Sequence, residues 1–483
     1  MILTGDHMIA GFFFAEVHFH AQSCYNCDIK LNERKSFMDK TAVYAEHLSG
    51  MVQFPTLSNT DESKVDYDVF YRFHEYLEKT YPLVHKTFEK KVIGKASLLY
   101  KWASENPAEG KLPVLLMAHQ DVVPEGDHAQ WKFPPYSGTI EGSVVHGRGS
   151  GDCKANILSE LETLEALIAE GFKADYDIYL AFGHNEEIMV PEDRKGARLV
   201  AEYLEKQGVR LGAVFDEGGG PEKIKTDAYE GYMITLFAGE KGFHDYEIYK
   251  DCKGGHSMAP GSGTALGQVA KAVVNLEANL FPYRLTDLTR ASLKAQSVLY
   301  SGKKKEAYAD PDHHMDELAE FAKEDLFLDA TLRTTLAVTM AQGSGQSNIL
   351  PTHASVTVNS RVLSGDTGES VQAYIQSLCP EGVQVRHIAG EGPYPDGRTD
   401  GPVVELIGEV EEEILGEKPV IIPSLLPGGT DAKCYTGICD NVFRYTGTIK
   451  NGVGGGAHGF NESFDTATTQ SSVDFFTGFL KKY

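Results

Sequence analysis

Five short stretches of the chain set carboxylates or histidines at the end of an apolar run or inside a glycine-rich turn. They are AHQD (His119, Asp121), GRGSGDCK (Asp152), FGHNEE (Glu186, Glu187), VFDEGG (Asp216) and GGGAHGFNE (His458). Carboxylates about 4 Å apart repel by roughly 4 kcal/mol per pair at an effective dielectric near 20, so gathering several of them demands compensating positive charge. Divalent metal ions supply it. Two metals sharing one bridging carboxylate account for two imidazoles and three carboxylates as ligands, with water completing the set. Such a pair keeps about one net positive charge, enough to polarise a carbonyl or acidify a water.

Taken singly, each residue has a plainer role. His119 or His458 reads as a hydrogen-bonded histidine, Asp152 as the cap of the helix that follows it, and Glu186 with Glu187 as a solvated pair. The apolar approach IYLAFG argues against simple exposure of that pair. GRGSG lacks both the dinucleotide fingerprint and the lysine-hydroxyl ending of a phosphate loop, which sets nucleotide binding aside.

The elements that must position these groups are legible from apolar patterning. The run in KLPVLLMAHQDVVPEG reads as a strand covered on both faces, as in parallel sheets, and sites form at the carboxyl ends of such strands. YDIYLAF and LGAVF lead into the third and fourth groups, so parallel strands would bring the first, third and fourth groups to one rim. From Glu33 on, helix-period segments such as VDYDVFYRFHEYLEKTY alternate with short apolar runs. This predicts an α/β fold, a mostly parallel sheet with helices on both faces. Ile157, Leu158, Leu161, Leu164, Leu167 and Ile168 share one face of the helix after GRGSGDCK, with Gly171 at its C-terminal cap.

Between about Tyr232 and Ile388 the alternating strands YMITLFAG, FHDYEIYK, TTLAVTM and HASVTVNSR surround helical stretches near 264–280 and 314–327. That pattern predicts an α+β lid inserted into the catalytic domain. The expected partition is an N-terminal extension (1–32), a first catalytic part (33–231), the lid (232–388) and a second catalytic part (389–483). The lysine-rich SGKKKEAYADPDHH is expected as a solvated loop.

At 483 residues, 42% hydrophobic and 24% charged, the chain is long enough for two or three domains. A formal charge of -24 repels phosphate backbones and anionic membranes, which argues against nucleic-acid and membrane partners and favours a small-molecule substrate. No apolar run is long enough to span a bilayer. The first thirty residues carry a short apolar patch without a basic leader or a cleavage site, so no signal peptide is expected. Seven scattered cysteines in a chain too large to need staples favour reduced thiols and a cytoplasmic location. His18, His20, Cys24 and Cys27 form a weaker structural-zinc pattern, for which a poorly ordered extension is the plainer reading.

HQDVVP, GRGSGDCK, GHNEE, DEGGG, GGHSMAP, SNILP, NSRVLSGDT, GGTDAK and HGFNE occur in that order. The set, over roughly residues 35–483, resembles the dizinc metallopeptidase family of aminoacylases, glutamate carboxypeptidase, acetylornithine deacetylase and succinyl-diaminopimelate desuccinylase. Spacing and the long lid look nearest to the carboxypeptidase S (Gly-Xaa carboxypeptidase) and N-fatty-acyl-amino-acid hydrolase branch. The resemblance implies two zinc ions per subunit, cobalt or manganese being acceptable to the same oxygen-rich spheres. In it Asp152 bridges both metals, His119 and Asp216 complete one sphere, and Glu187 and His458 complete the other. Glu186 becomes the general base, Asp121 the group that orients the His119 imidazole, and His256 of KGGHSMAP an oxyanion donor.

The same resemblance makes Arg361, assisted by Asn348, the clamp for a substrate carboxylate, and places Gly429 and Thr430 along the pocket. The plainer readings are a loop histidine for His256, a surface charge for Arg361 and a glycine turn for PGGTDAK. The implied reaction is hydrolysis of an amide beside a free carboxylate in a small peptide, with an N-acyl amino acid as the alternative substrate. Closure of the lid assembles the groups of the two domains, and a homodimer through the lid is compatible with the pattern. A catalytically dead, metal-stabilised binding protein is disfavoured because the base and every ligand are present. IMVPEDRKGA is longer than the glycine-containing turn usual after the glutamate pair, and Ser364 stands where proline is common. These departures bear on substrate preference, not on metal ligands.

Overall fold

The computed structural model describes residues 27–483 apart from Ser262, without the side chains of residues 27–39 and of Glu192. The pattern His18, His20, Cys24 and Cys27 therefore lies outside the described residues and side chains. Everything below concerns the unit Thr41–Tyr483.

The strand Val114–His119 is buried along its whole length, as its unbroken apolar run requires. It lies in a nine-stranded sheet. Its parallel neighbours are Ile178–Gly183 and Ala213–Gly219, and Val442–Tyr445 continues in parallel beyond the latter. The expected parallel arrangement thus holds at the centre. Antiparallel pairs flank it, Glu89–Ile93 with Ser97–Trp102 on one side and Pro221–Lys225 with Glu230–Glu240 on the other.

Alternate side chains of a strand point to opposite faces, and the packing follows. Val114, Leu116 and Ala118 join a core with Ile157, Leu158, Leu161 and Leu164 of the helix Lys154–Ala169. Leu115 and Met117 face Ala197, Val200 and Leu204 of the helix Gly196–Lys206 on the other side. Gly171, at φ +77°, follows the first helix in the left-handed conformation that glycine tolerates best. Truncating one of these buried leucines to alanine costs about 2–5 kcal/mol, so the sheet's register is firmly held.

A second, antiparallel sheet forms the lid, in the order Thr335–Gln342, His353–Val362, Gly242–Asp251, Gln384–Glu391. The helices Ala265–Ala278 and Gly368–Leu378 cover it through Val269, Leu276, Val371 and Ile375. Thr264 caps the first of them, its hydroxyl accepting from the Gly267 amide. The strand Glu230–Glu240, expected in the insertion, belongs instead to the central sheet, where it pairs in parallel with Val420–Leu426. Period-two alternation identifies a strand but not the sheet it joins. The crossover falls at Lys241, between Glu230–Glu240 and Gly242–Asp251, and the last lid strand ends at Glu391.

The lysine-rich segment is also corrected. It contains the helix Gly302–Ala309, whose Ala307 and Tyr308 are buried with Leu293, Leu318 and Leu332 while Lys303 and Lys305 stay exposed. Lys304 lies 3.9 Å above the Tyr300 ring, so its charge faces an aromatic and not water alone. The helix expected at 314–327 is two, Met315–Ala322 and Leu326–Leu332, with the Asp325 carboxylate capping the second. Among the described residues no helix is long and apolar enough to cross a membrane, and Cys153, Cys252, Cys379, Cys434 and Cys439 are unpaired.

Candidate active site

Pairing between Val114–His119 and Ala213–Gly219 stops at Leu116 and Phe215, whereas pairing with Ile178–Gly183 continues to His119 and Gly183. The carboxyl ends therefore part, and the divergence opens a space at the rim. His119 sits at its edge, almost wholly buried, with Nε2 2.9 Å from Asp152 Oδ1. The other Asp152 oxygen, Oδ2, lies 3.1 Å from His458 Nε2, which is also 2.9 Å from Glu187 Oε2. The Asp152 carboxylate thus stands between two imidazoles.

Asp216 does not join them. Its Oδ1 accepts from the Glu217 amide and its Oδ2 from the Ala432 amide, on the far face of the strand. Glu217 takes the place expected of Asp216, its Oε1 3.6 Å from His119 Nε2. The cause is the side-chain alternation of a strand, made local by a bulge: Arg444 pairs with Asp216 but Tyr445 with Gly219. The signal was present in the sequence as the adjacent pair in VFDEGG, where alternation lets only one carboxylate face the rim.

His119 Nε2 thus faces Asp152 Oδ1 and Glu217 Oε1, and His458 Nε2 faces Asp152 Oδ2 and Glu187 Oε2, while the Cys153 thiol also lies within 4.8 Å of the His119 and Glu217 ligand atoms. His119, Asp152 and Glu187 present ligand atoms within 4.8 Å of one another. Burial, reinforced by neighbouring carboxylates, raises the Glu187 and Glu217 carboxyls above their ordinary range. Hydrogen bonds to Asp152 and then Glu187 raise the His458 imidazole to about 10. Crowded acids of this kind fit cations, and the donor set suits divalent ones.

Asp121 meets the His119 ring mainly through its backbone. The His119 ring donates from Nδ1 to the Asp121 backbone carbonyl at 2.9 Å, while the carboxylate stands 3.5 Å from that nitrogen. The Asp121 carboxylate accepts instead from Ser58 Oγ at 2.6 Å and from the amides of Glu186 and Glu187 at 3.0 and 3.1 Å. One residue therefore orients the imidazole through its backbone and the glutamate pair through its side chain. Glu186 is pushed well above the ordinary carboxylate range by burial, with Glu217 and Asp431 adding to the effect.

Glu186, Glu187 and His458 open onto a cleft of about 380 Å³ that Arg361 and Gly429 also line. Arg361 comes from the lid strand His353–Val362, and its guanidinium lies 5.2 Å over the Phe243 ring. Thr430 stands behind the wall, its amide and hydroxyl donating to Glu240. Lys195, Lys433 and Glu391, unassigned from sequence, complete the cleft, with Glu391 2.9 Å from Lys433 and 3.4 Å from Lys195. His256 and Asn348 do not line it. They lie together on an exposed two-stranded ribbon of the lid, where the Ser257 amide donates to the Asn348 carbonyl.

The sequence model of peptidase family M20/M25/M40 matches residues 115–482. The chain belongs to this family. Carboxypeptidase S of Saccharomyces cerevisiae is 29% identical over 454 residues, 84% of this chain and 77% of that protein. The N-fatty-acyl-amino acid synthase/hydrolase PM20D1 of Mus musculus is 26% identical over 443 residues, 90% of this chain and 87% of that protein. Among solved structures, the M20 family metallo-carboxypeptidase Sso-CP2 from Sulfolobus solfataricus superposes with a TM-score of 0.65 at 18% identity, covering 91% of this chain and 98% of that one. Human carnosine dipeptidase 1 gives 0.61 at 14% identity, covering 93% and 99%. Membership accounts for the fold, a central sheet with an inserted lid, and makes the protein a metallopeptidase-type hydrolase.

Proposed function

We propose that the protein is a dizinc hydrolase that cleaves the amide bond beside a free carboxylate in small peptides, as a carboxypeptidase or dipeptidase of the Gly-Xaa type. The observation that carries this reading is that Arg361 shares one cleft with Glu186, Glu187 and His458. A planar cationic fork is thereby set beside a carboxylate-rich centre, suited to a substrate whose anionic end lies next to its reacting bond.

His119, Asp152 and Glu217 would hold one zinc and Asp152, Glu187 and His458 the other; bound there, the ions supply Lewis acidity and acidify water. Cobalt or manganese fits the same donors. Glu186, held by Asp121 through its amide and raised in pKa, takes the proton of the attacking water and returns it to the leaving amine. Arg361 fixes the substrate carboxylate. His256, with Asn348, supplies hydrogen bonds to the developing oxyanion and the carboxylate once the lid closes or the lid of a second copy reaches the cleft. Mixing a Glu186→Gln protein with a His256→Ala protein distinguishes these routes, since recovered turnover requires residues from two copies.

The second reading is an N-acyl amino acid hydrolase. It is favoured by Ile188, Met189, Phe243 and Tyr394, apolar or aromatic side chains lining the same cleft. Metal-reconstituted protein assayed with Gly-Xaa dipeptides beside N-acetyl and long-chain N-acyl amino acids decides between them; no turnover of any member of the panel sinks both. A cytoplasmic location is part of the proposal and rests on composition alone.

A further inference from the structure

We propose that Glu462 is a positioning residue that holds the two halves of the metal centre in register; this rests on the metal reading above. Glu462 lies four residues beyond His458, and its side chain is 1% exposed. Its carboxylate is surrounded by donors. Oε2 accepts from Arg148 Nη1 at 2.7 Å and from the Gly149 amide at 2.9 Å. Oε1 accepts from the Gly151 amide at 2.9 Å and from the amide of Asp152 itself at 3.1 Å. The Glu462 carbonyl accepts from the Gly147 amide at 2.9 Å. The second Arg148 nitrogen, Nη2, donates to the Gly459 carbonyl at 2.9 Å, next to His458.

The loop 147–152 is thus wrapped on one carboxylate that belongs to the loop carrying His458. This matters because the Asp152 carboxylate lies between His119 and His458, so an error in either loop displaces both groups of donors. GRGSGD has three glycines and belongs to no strand or helix, its remaining backbone bonds being local turn contacts such as Ser150 to Gly147 and a single bond from the Arg148 amide to Pro135. An ionised carboxylate, which only accepts, meets its four donors without conflict. Arg148 pairs with its charge. A buried ion pair is by itself a poor source of net stability, so the arrangement is better understood as setting geometry.

The test separates positioning from folding. Glu462→Gln keeps size but turns a donor toward donors. We expect the folded variant to bind zinc roughly 10–100-fold more weakly in chelator competition, the range for groups that orient metal ligands. Its cobalt-substituted form should show a shifted visible band, and kcat should fall more than KM rises. Arg148→Lys, which keeps the charge and removes the fork to Gly459, should show the same changes in smaller measure, and carries the test if Glu462→Gln fails to fold. A lower melting temperature with unchanged zinc affinity and cobalt spectrum in the folded variants would overturn the proposal and leave Glu462 a fold stabiliser. If the unmutated protein binds no zinc, the metal reading itself fails along with it.

Discussion

The rim of the central sheet and the outer ribbon of the lid both present a histidine beside polar backbone, yet they hold it in opposite ways. His119 is buried, with Nδ1 on the Asp121 carbonyl and Nε2 facing Asp152. His256 is exposed, and its Nδ1 accepts from the Met258 amide two residues on. The rim groups are immobilised by strand ends, by Asp121 and by Glu462; His256 is held by a ribbon of two-residue strands. Metal ligands need positions set to fractions of an ångström, which favours a rigid scaffold. Residues that meet a substrate must let it enter and leave, which favours a segment that can close and open.

Substitutions can break or sharpen this contrast. The strongest is Glu217→Gln, expected to abolish one of two zinc equivalents measured by elemental analysis, and turnover with it, whereas Asp216→Asn should keep both. Glu186→Gln should retain both metals and lose about 10²–10⁴-fold in kcat, the usual contribution of a general base; full turnover in that variant would remove its role. His256→Ala should leave zinc content untouched and lower kcat by about 10²–10³-fold, as for loss of one oxyanion donor. Equal zinc loss in this variant would erase the distinction between rim and lid.

Arg361→Lys should cost roughly 1.5–3 kcal/mol of binding to a carboxylate substrate, read as a tenfold to hundredfold fall in kcat/KM that a substrate amidated at that end does not show. The smallest effect belongs to the lid's helical part. Lys304→Ala, which removes the cation above Tyr300, should lower unfolding free energy by about 0.5–1 kcal/mol in urea and leave kinetics alone.

The α/β class, the buried strand before His119, the helix Lys154–Ala169 and the placing of His119 and Glu187 on one rim were readable from residue order, whereas Asp152 and His458 were joined to them only through the family resemblance. Apolar periodicity and the placement of acids at strand ends are local properties, carried by neighbours in the chain. Which sheet receives Glu230–Glu240, which of Asp216 and Glu217 faces the rim, and where the Asp121 carboxylate reaches were settled only by folding. Each depends on partners that the sequence places far away, among them Val420–Leu426, Ala432 and Ser58. The buried helix inside the lysine-rich segment belongs to the same class. Ala307 and Tyr308 become core only because Leu293 and Leu332 are folded against them, and a charged run alone cannot disclose the apolar side it will be given.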